Sequence, residues 1–332
     1  MGYFSSQNNK RIKFMKKIIK ISLLNILLII TILGICEFLI YKYNVGVKTR
    51  ENIPQTNINE FTYKTYFPTY MTDLENFFDG REGFSGRKPD GIEYKNKKPI
   101  VLFGCSYAYG QYLDTNQTLS YKLAQKLKQP VYNRGIIGGS LSHLYMQATN
   151  ESLYKTIPDT DTILYIFIYD QARRIFLNYF DVLDKHVLPH YSVKNGELLS
   201  NNYNNKFLNF FNALYTVKEI NHLYADFYLG DKKNAEKIAN LVTLYFVESK
   251  KELEKKWNKK LNFHILLYED WPIFYGDLLK EKLEKNGFVV TSTNELTDED
   301  LASKKYLMQD NHHPTEAAWD LLTPKIIEKF GL

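Results

Sequence analysis

At 332 residues, with 44% hydrophobic and 24% charged residues, the chain has the make-up of a globular protein with one large or two small domains. Its formal charge of +6 is local: residues 1–20 carry Lys10, Arg11, Lys13, Lys16, Lys17 and Lys20 with no acid, and the rest of the chain holds equal numbers of basic and acidic residues. A neutral body argues against a nucleic-acid partner, and two cysteines cannot build a disulfide framework.

The basic tail runs into an apolar stretch from Ile21 to Tyr41. As a helix rising about 1.5 Å per residue, residues 21–42 span roughly 30 Å, the thickness of a bilayer core. Six cations precede this stretch and only Lys42, Lys48 and Arg50 closely follow it. The positive-inside rule therefore predicts a single-pass protein with residues 1–20 in the cytoplasm and the body outside it, in the periplasm or extracellular space. The rival reading, a cleaved signal peptide, calls for a shorter apolar region ending in small residues. Here Glu37, Phe38 and Leu39 stand where a cut would fall, and Ile35 before Cys36 does not suit a lipoprotein site.

Residues 43–96 are polar and turn-rich and read as a juxtamembrane segment. From residue 97 onward short apolar runs alternate with helical patterns. Strands are predicted at Ile100–Phe103, Val131–Tyr132, Thr162–Ile168, Phe263–Leu267 and Phe288–Val290, with a helix over Leu119–Leu127. That alternation implies an α/β domain over 97–332 with a mainly parallel five-stranded sheet covered on both faces. About ninety residues separate the third and fourth strands, too many for one crossover. They read as an insertion over about 171–258, with a hairpin at His186–Leu199 turning at Asn195-Gly196 and a helix near Ala235–Trp257 whose second half is highly charged.

Two segments carry chemistry. In Pro99-Ile-Val-Leu-Phe-Gly-Cys-Ser106 an apolar strand breaks at Gly104 and presents a serine, with Gly110 giving the backbone room before the next helix. Asp310-Asn-His-His313-Pro314 puts an acid three residues before an imidazole. Together they hold the three parts of a nucleophilic serine site. Pro314 suits the first turn of a terminal helix that carries Ala318, Leu321 and Leu322 on one face and is kinked or restarted at Pro324. The same acid-to-histidine spacing in Glu219-Ile-Asn-His222 falls inside the insertion and reads as a surface pair. His312 is the alternative to His313; the residue directly before the proline is preferred. Cys105 is turned away from Ser106 by strand alternation. His186 and His190 lie in the hairpin, which denies them a shared helical face, so no metal and no cofactor is predicted.

With Asn133-x-Gly135-x-x-Gly138 added, these blocks resemble the SGNH/GDSL hydrolase superfamily of serine esterases and acyltransferases, over about residues 97–332. The resemblance implies a flavodoxin-like three-layer α/β/α fold with the site at the C-terminal edge of the sheet. It implies that Ser106 attacks an acyl carbonyl, that His313 takes and returns the proton, and that Asp310 orients the ring. Amides of Ser106 and Gly138 would line the oxyanion hole. The third block departs from the family: where a Gly-x-Asn-Asp asparagine donates to the oxyanion, this chain has Phe167-Ile-Tyr-Asp-Gln171, leaving Tyr169, Gln171 or the arginines Arg173 and Arg174 as substitutes. The reading is a membrane-anchored esterase or O-acyltransferase acting on acyl, most simply acetyl, esters of an envelope glycan. The alternative is a catalytically silent relative that binds glycan or an assembly partner.

Overall fold

The computed structural model describes residues 97–151, 155, 157–176, 191–194, 196–200, 228–268 and 275–332, with Thr31, Ile32, Gly34 and Ile35 upstream. The elements in chain order are β1 (Ile100–Gly104), α1 (Ser106–Tyr109), α2 (Leu119–Leu127), β2 (Val131–Asn133), α3 (Leu141–Thr149), β3 (Thr162–Phe167) and α4 (Tyr169–Phe176). There follow β4 (Tyr191–Lys194), β5 (Glu197–Ser200), α5 (Ala235–Trp257), β6 (Asn262–Leu267), α6 (Gly276–Lys285), β7 (Val289–Ser292), α7 (Thr293–Leu296) and α8 (Glu316–Phe330).

Five strands form one parallel sheet in the order β2-β1-β3-β6-β7. This is the flavodoxin-like order, in which the chain leaves β1 to one side and returns to build on the other. Alternation along each strand divides the core. Val101, Phe103, Ile163, Tyr165, Phe167 and Phe263 face α3, α5 and α6, while Leu102, Leu164, Ile166 and Leu266 face α2 and α8. Because both faces are covered, each strand reads in sequence as an unbroken apolar run rather than an alternating one.

The helix Ala235–Trp257 differs from its reading as part of an insertion: it is the crossover between β3 and β6. Its buried positions Ile238, Ala239, Val242, Tyr245, Phe246, Ser249 and Leu253 recur at helical spacing. Phe246 sits among Tyr165, Phe167, Phe263 and Phe288, with ring centroids 4.9–6.2 Å away. The charges of its second half lie on the outer face. The hairpin forms at the predicted turn, with Lys194 opposite Glu197 and Gly196 at φ +82°. It lies against the core through buried Leu198, and the Tyr191 ring meets Tyr145 at 4.9 Å.

The terminal helix also departs from expectation. Pro314 precedes it, Thr315 caps it by accepting from the Ala318 amide at 3.4 Å, and the helix runs unbroken through Pro324. Lys122 of α2 donates to Glu316 at 3.1 Å and Asp320 at 2.6 Å, fastening the start of α8 to its neighbour. Among the described residues no helix is long and apolar enough to cross a membrane. Of the predicted span 21–42, only Thr31, Ile32, Gly34 and Ile35 are described; they are helical, with Ile32 and Ile35 half-exposed.

His264, buried in β6, packs its ring 4.9 Å from Phe330 at the far end of α8, and its Nδ1 is buried without a partner. Burial pulls its pKa from 6.5 down to about 4. The unfolded chain therefore takes up the proton first, so stability present above about pH 6.5 is lost as pH falls towards 4. This group alone is expected to cost on the order of 3 kcal/mol across that window. Denaturant titrations at pH 7.5 and 4.5 check it: His264→Leu should flatten the difference, and an equally steep loss in the variant would contradict the assignment.

Candidate active site

Ser106 opens the short helix α1 directly after β1, whose neighbours β2 and β3 lie on opposite sides of it. The serine thus stands at the topological switch point, where open α/β sheets form a crevice, and is itself only 5% exposed. Gly110 ends α1 in the left-handed conformation at φ +79°, and the Gly110 and Gln111 amides both close on the Ser106 carbonyl at 2.9 and 3.0 Å. The turn that presents the hydroxyl is fixed at both ends. Asn133, fully buried at the end of β2, donates through Nδ2 to Ala108 O (2.7 Å), Tyr109 O (3.3 Å) and Ser120 Oγ (3.1 Å), and its Oδ1 accepts from the Gly135 amide at 3.0 Å.

His313 arrives from 207 positions further along the chain. Its Nε2 lies 2.8 Å from Ser106 Oγ, and its Nδ1 is hydrogen-bonded to Asp310 Oδ2. The other carboxylate oxygen of Asp310 accepts the backbone N–H groups of His312 and His313, each at 3.0 Å. The spacing of three has a physical reason. An aspartate that caps the amides two and three residues ahead turns the chain back so that the ring of the second one meets its own carboxylate. Burial opposes ionisation of Asp310, but the His313 imidazole and the two amides outweigh it and hold the carboxyl at about 2. Asp310 therefore stays charged at any physiological pH and favours the His313 tautomer with its proton on Nδ1, leaving Nε2 to accept from Ser106.

The loop that carries this pair is pinned to the body. Met308 N donates to His313 O at 2.7 Å and Thr315 N to Tyr306 O at 2.9 Å, so residues 306–315 close on themselves before α8 begins. The Tyr107 hydroxyl, one residue past the serine, donates to His312 O at 2.6 Å. The His313 ring lies between Tyr107 and Tyr112, with centroids 5.3 and 5.2 Å away. Neither tyrosine was singled out in the sequence. Tyr107 is tied to His312 across 205 positions, and no local pattern marks such a contact. The His312 side chain is exposed, while His313 is the one turned to Ser106.

The loop after β2 lies against the same turn. A Cβ on Gly135 would stand 2.4 Å from the Tyr109 amide nitrogen, so only glycine allows this approach. Ile136 N donates to Gly104 O at 3.0 Å, Gly139 N to Ile136 O at 2.7 Å, and Gly138 within this turn has φ +71°. No described residue accepts a hydrogen bond from the Ser106 or Gly138 amide.

Of the substitutes for the third block, Gln171 is fully buried and gives Nε2 to Ile166 O at the end of β3 (3.2 Å). The Tyr169 ring lies near Tyr275, centroids 6.4 Å apart. Arg174 donates to Gly139 O at 2.6 Å and pairs with Asp170, which Arg173 also approaches at 3.5 Å. Cys105 is fully buried and its thiol is pushed up by that burial, as an inert core cysteine would be. His186, His190, Glu219 and His222 lie outside the described residues. Among the described residues no group of three or more His, Cys, Asp or Glu side chains could hold a metal ion.

No family profile and no curated protein matches the chain. Solved structures that are similar to it include a lipase from a goat rumen metagenome, at 11% identity and TM-score 0.39, covering 70% of this chain and 97% of that one. A member of the lipolytic G-D-S-L family from Veillonella parvula DSM 2008 shares 12% identity at TM-score 0.38, covering 69% and 96%. The salicylyl-acyltransferase SsfX3 of a tetracycline biosynthetic pathway shares 12% at TM-score 0.38, covering 72% and 55%. Likenesses at this level carry no argument about activity.

Gly135→Ala should push the β2 loop off the Ser106 turn. The forced backbone shift is expected to cost about 1–3 kcal/mol, read as a lowered denaturant midpoint with unchanged slope. A variant as stable as the parent would show that the approach is looser than described.

Proposed function

We propose that the chain is a serine esterase or O-acyltransferase of the SGNH/GDSL type, with Ser106 as nucleophile, His313 as general base and acid, and Asp310 as the group that orients and charges against the imidazole. The observation that carries this reading is the continuous relay from Asp310 through His313 to Ser106 Oγ, the last link 2.8 Å long, at the switch-point crevice. Ser106 Oγ attacks the acyl carbonyl and His313 Nε2 accepts its proton. The Asp310 carboxylate, held ionised, stabilises the imidazolium. The negative oxygen of the tetrahedral intermediate falls to the amides of Ser106 and Gly138. His313 returns its proton to the leaving oxygen, and a second hydroxyl then attacks the acyl-enzyme with His313 as base. Water as that second attacker makes the protein a hydrolase; a sugar hydroxyl makes it a transferase.

The setting comes from the N-terminal sequence. The basic tail over 1–20 and the apolar run over 21–42 support a single membrane anchor with the serine domain outside the cytoplasm. An acylated envelope carbohydrate is the substrate class that such a position and an acyl-transfer site favour together.

Detergent-solubilised full-length protein should react with a fluorophosphonate probe and release nitrophenol from p-nitrophenyl acetate. Ser106→Ala should abolish both, and His313→Ala should lower turnover by about 10³-fold or more. Absence of labelling in the parent protein, with glycan binding retained, would instead favour the silent binding module. For orientation, alkaline phosphatase fused after residue 96 should be active in a bacterial host and a fluorescent protein fused there dark. The reverse pattern would place the domain in the cytoplasm.

A further inference from the structure

The oxyanion hole described above rests on two backbone amides, because the side-chain amide that could supply a third donor is absent and Gln171 spends its own Nε2 on Ile166 O. With so few donors, the position of the Gly138 amide matters more. That amide lies in a four-residue turn whose entry is bonded to the nucleophile strand, Ile136 N to Gly104 O at 3.0 Å. The exit of the turn, the Gly139 carbonyl, accepts from Arg174 Nη1 at 2.6 Å. Arg174 is in turn held by Asp170 one helical turn earlier in α4, and its side chain is only 13% exposed, so this charged bond is largely shielded from water. Its position is further fixed by the rigid end of β3, from which α4 starts directly.

We propose, resting on the serine-hydrolase reading, that Arg174 is a positioning residue for acyl transfer: its guanidinium, oriented by Asp170, holds the Gly139 carbonyl and so aims the Gly138 amide at the oxyanion. The Gly139 carbonyl belongs to the peptide that follows the Gly138–Gly139 unit, so pulling it towards α4 sets the tilt of the turn without occupying the hole. The guanidinium charge is also felt at Cys105, the residue before the nucleophile. Burial dominates in raising the Cys105 thiol, and Arg174 is the largest influence opposing it. Arginine suits the role because its planar fork engages a carbonyl and a carboxylate at once, which an ammonium cannot do with the same geometry. The turn is closely packed at this point, since a Cβ on Gly139 would stand 2.6 Å from Ile136 O.

The test uses full-length protein in detergent, with active serines counted by fluorophosphonate titration and kcat expressed per titrated site on p-nitrophenyl acetate. Arg174→Met should lower kcat per titrated site by about tenfold to a hundredfold, the scale of a misplaced donor, with KM within about twofold of the parent. Arg174→Lys should fall between the two. A merely structural arginine would lower the number of titratable serines and the thermal midpoint while leaving kcat per titrated site unchanged, and that result would overturn the proposal. Should Arg174→Met fail to fold, Arg174→Lys decides by the same criterion: a kcat per titrated site equal to the parent's overturns it, a fall of about threefold or more supports it. If the parent is not labelled, or Ser106→Ala still is, the serine reading itself fails and takes this proposal with it, an outcome distinct from a labelled parent with an indifferent Arg174.

Discussion

The hydrogen bond between Ser106 and His313 depends on one topological constraint, the departure of the chain from β1 to both sides. Because β2 pairs on one side of β1 and β3 on the other, the segments that follow β1, β2 and β3 gather around the C-terminal end of β1. Each then contributes a part: the β1 loop the hydroxyl, the β2 loop the turn with Gly138, the β3 helix an arginine that bonds that turn. The loop before the terminal helix closes the crevice from above with the imidazole and its carboxylate. A sheet in simple sequential order would separate these parts by a strand width or more.

Much of the surrounding structure serves to keep that crevice rigid, and it does so with buried hydrogen bonds and not with bulk. Asn133 bonds the end of α1, Ser120 of α2 and the Gly135 amide, all from a position with no solvent contact. Tyr107 links the nucleophile helix to the imidazole loop through a single hydroxyl. A group buried this deeply cannot be removed without leaving its partners unpaired, which costs more than the bond itself contributes. Rigidity of this kind is what acyl transfer needs, since donors that must reorganise during the reaction lose most of their electrostatic value.

The terminal helix shows the same economy. It closes the sheet through Trp319, Leu322 and Ile326, is fastened to α2 by Lys122, and at its N-terminal end receives the loop with Asp310 and His313. Core packing and the geometry of the proposed site are thus linked: the apolar face that seats α8 also sets where the imidazole stands.

How much of this was legible in the residues varies with the range of the interaction. The five strands and the hairpin could be read because each depends on neighbours within a few positions, in apolar runs and turn chemistry, whereas the roles suggested for Ser106, Asp310 and His313 came from the resemblance of their blocks. The helix Ala235–Trp257 was assigned to an insertion because about ninety residues separate the third and fourth strands, and its buried stripe acquires meaning only against the sheet. Pro324 was read as kinking or restarting the helix, and α8 continues through it from Glu316 to Phe330. The contacts of Tyr107, Tyr112 and Arg174 were decided by tertiary structure alone, because they join segments up to 205 positions apart. Local sequence specifies which groups are presented at each loop; only the packing of strands and helices against one another determines which of those groups meet.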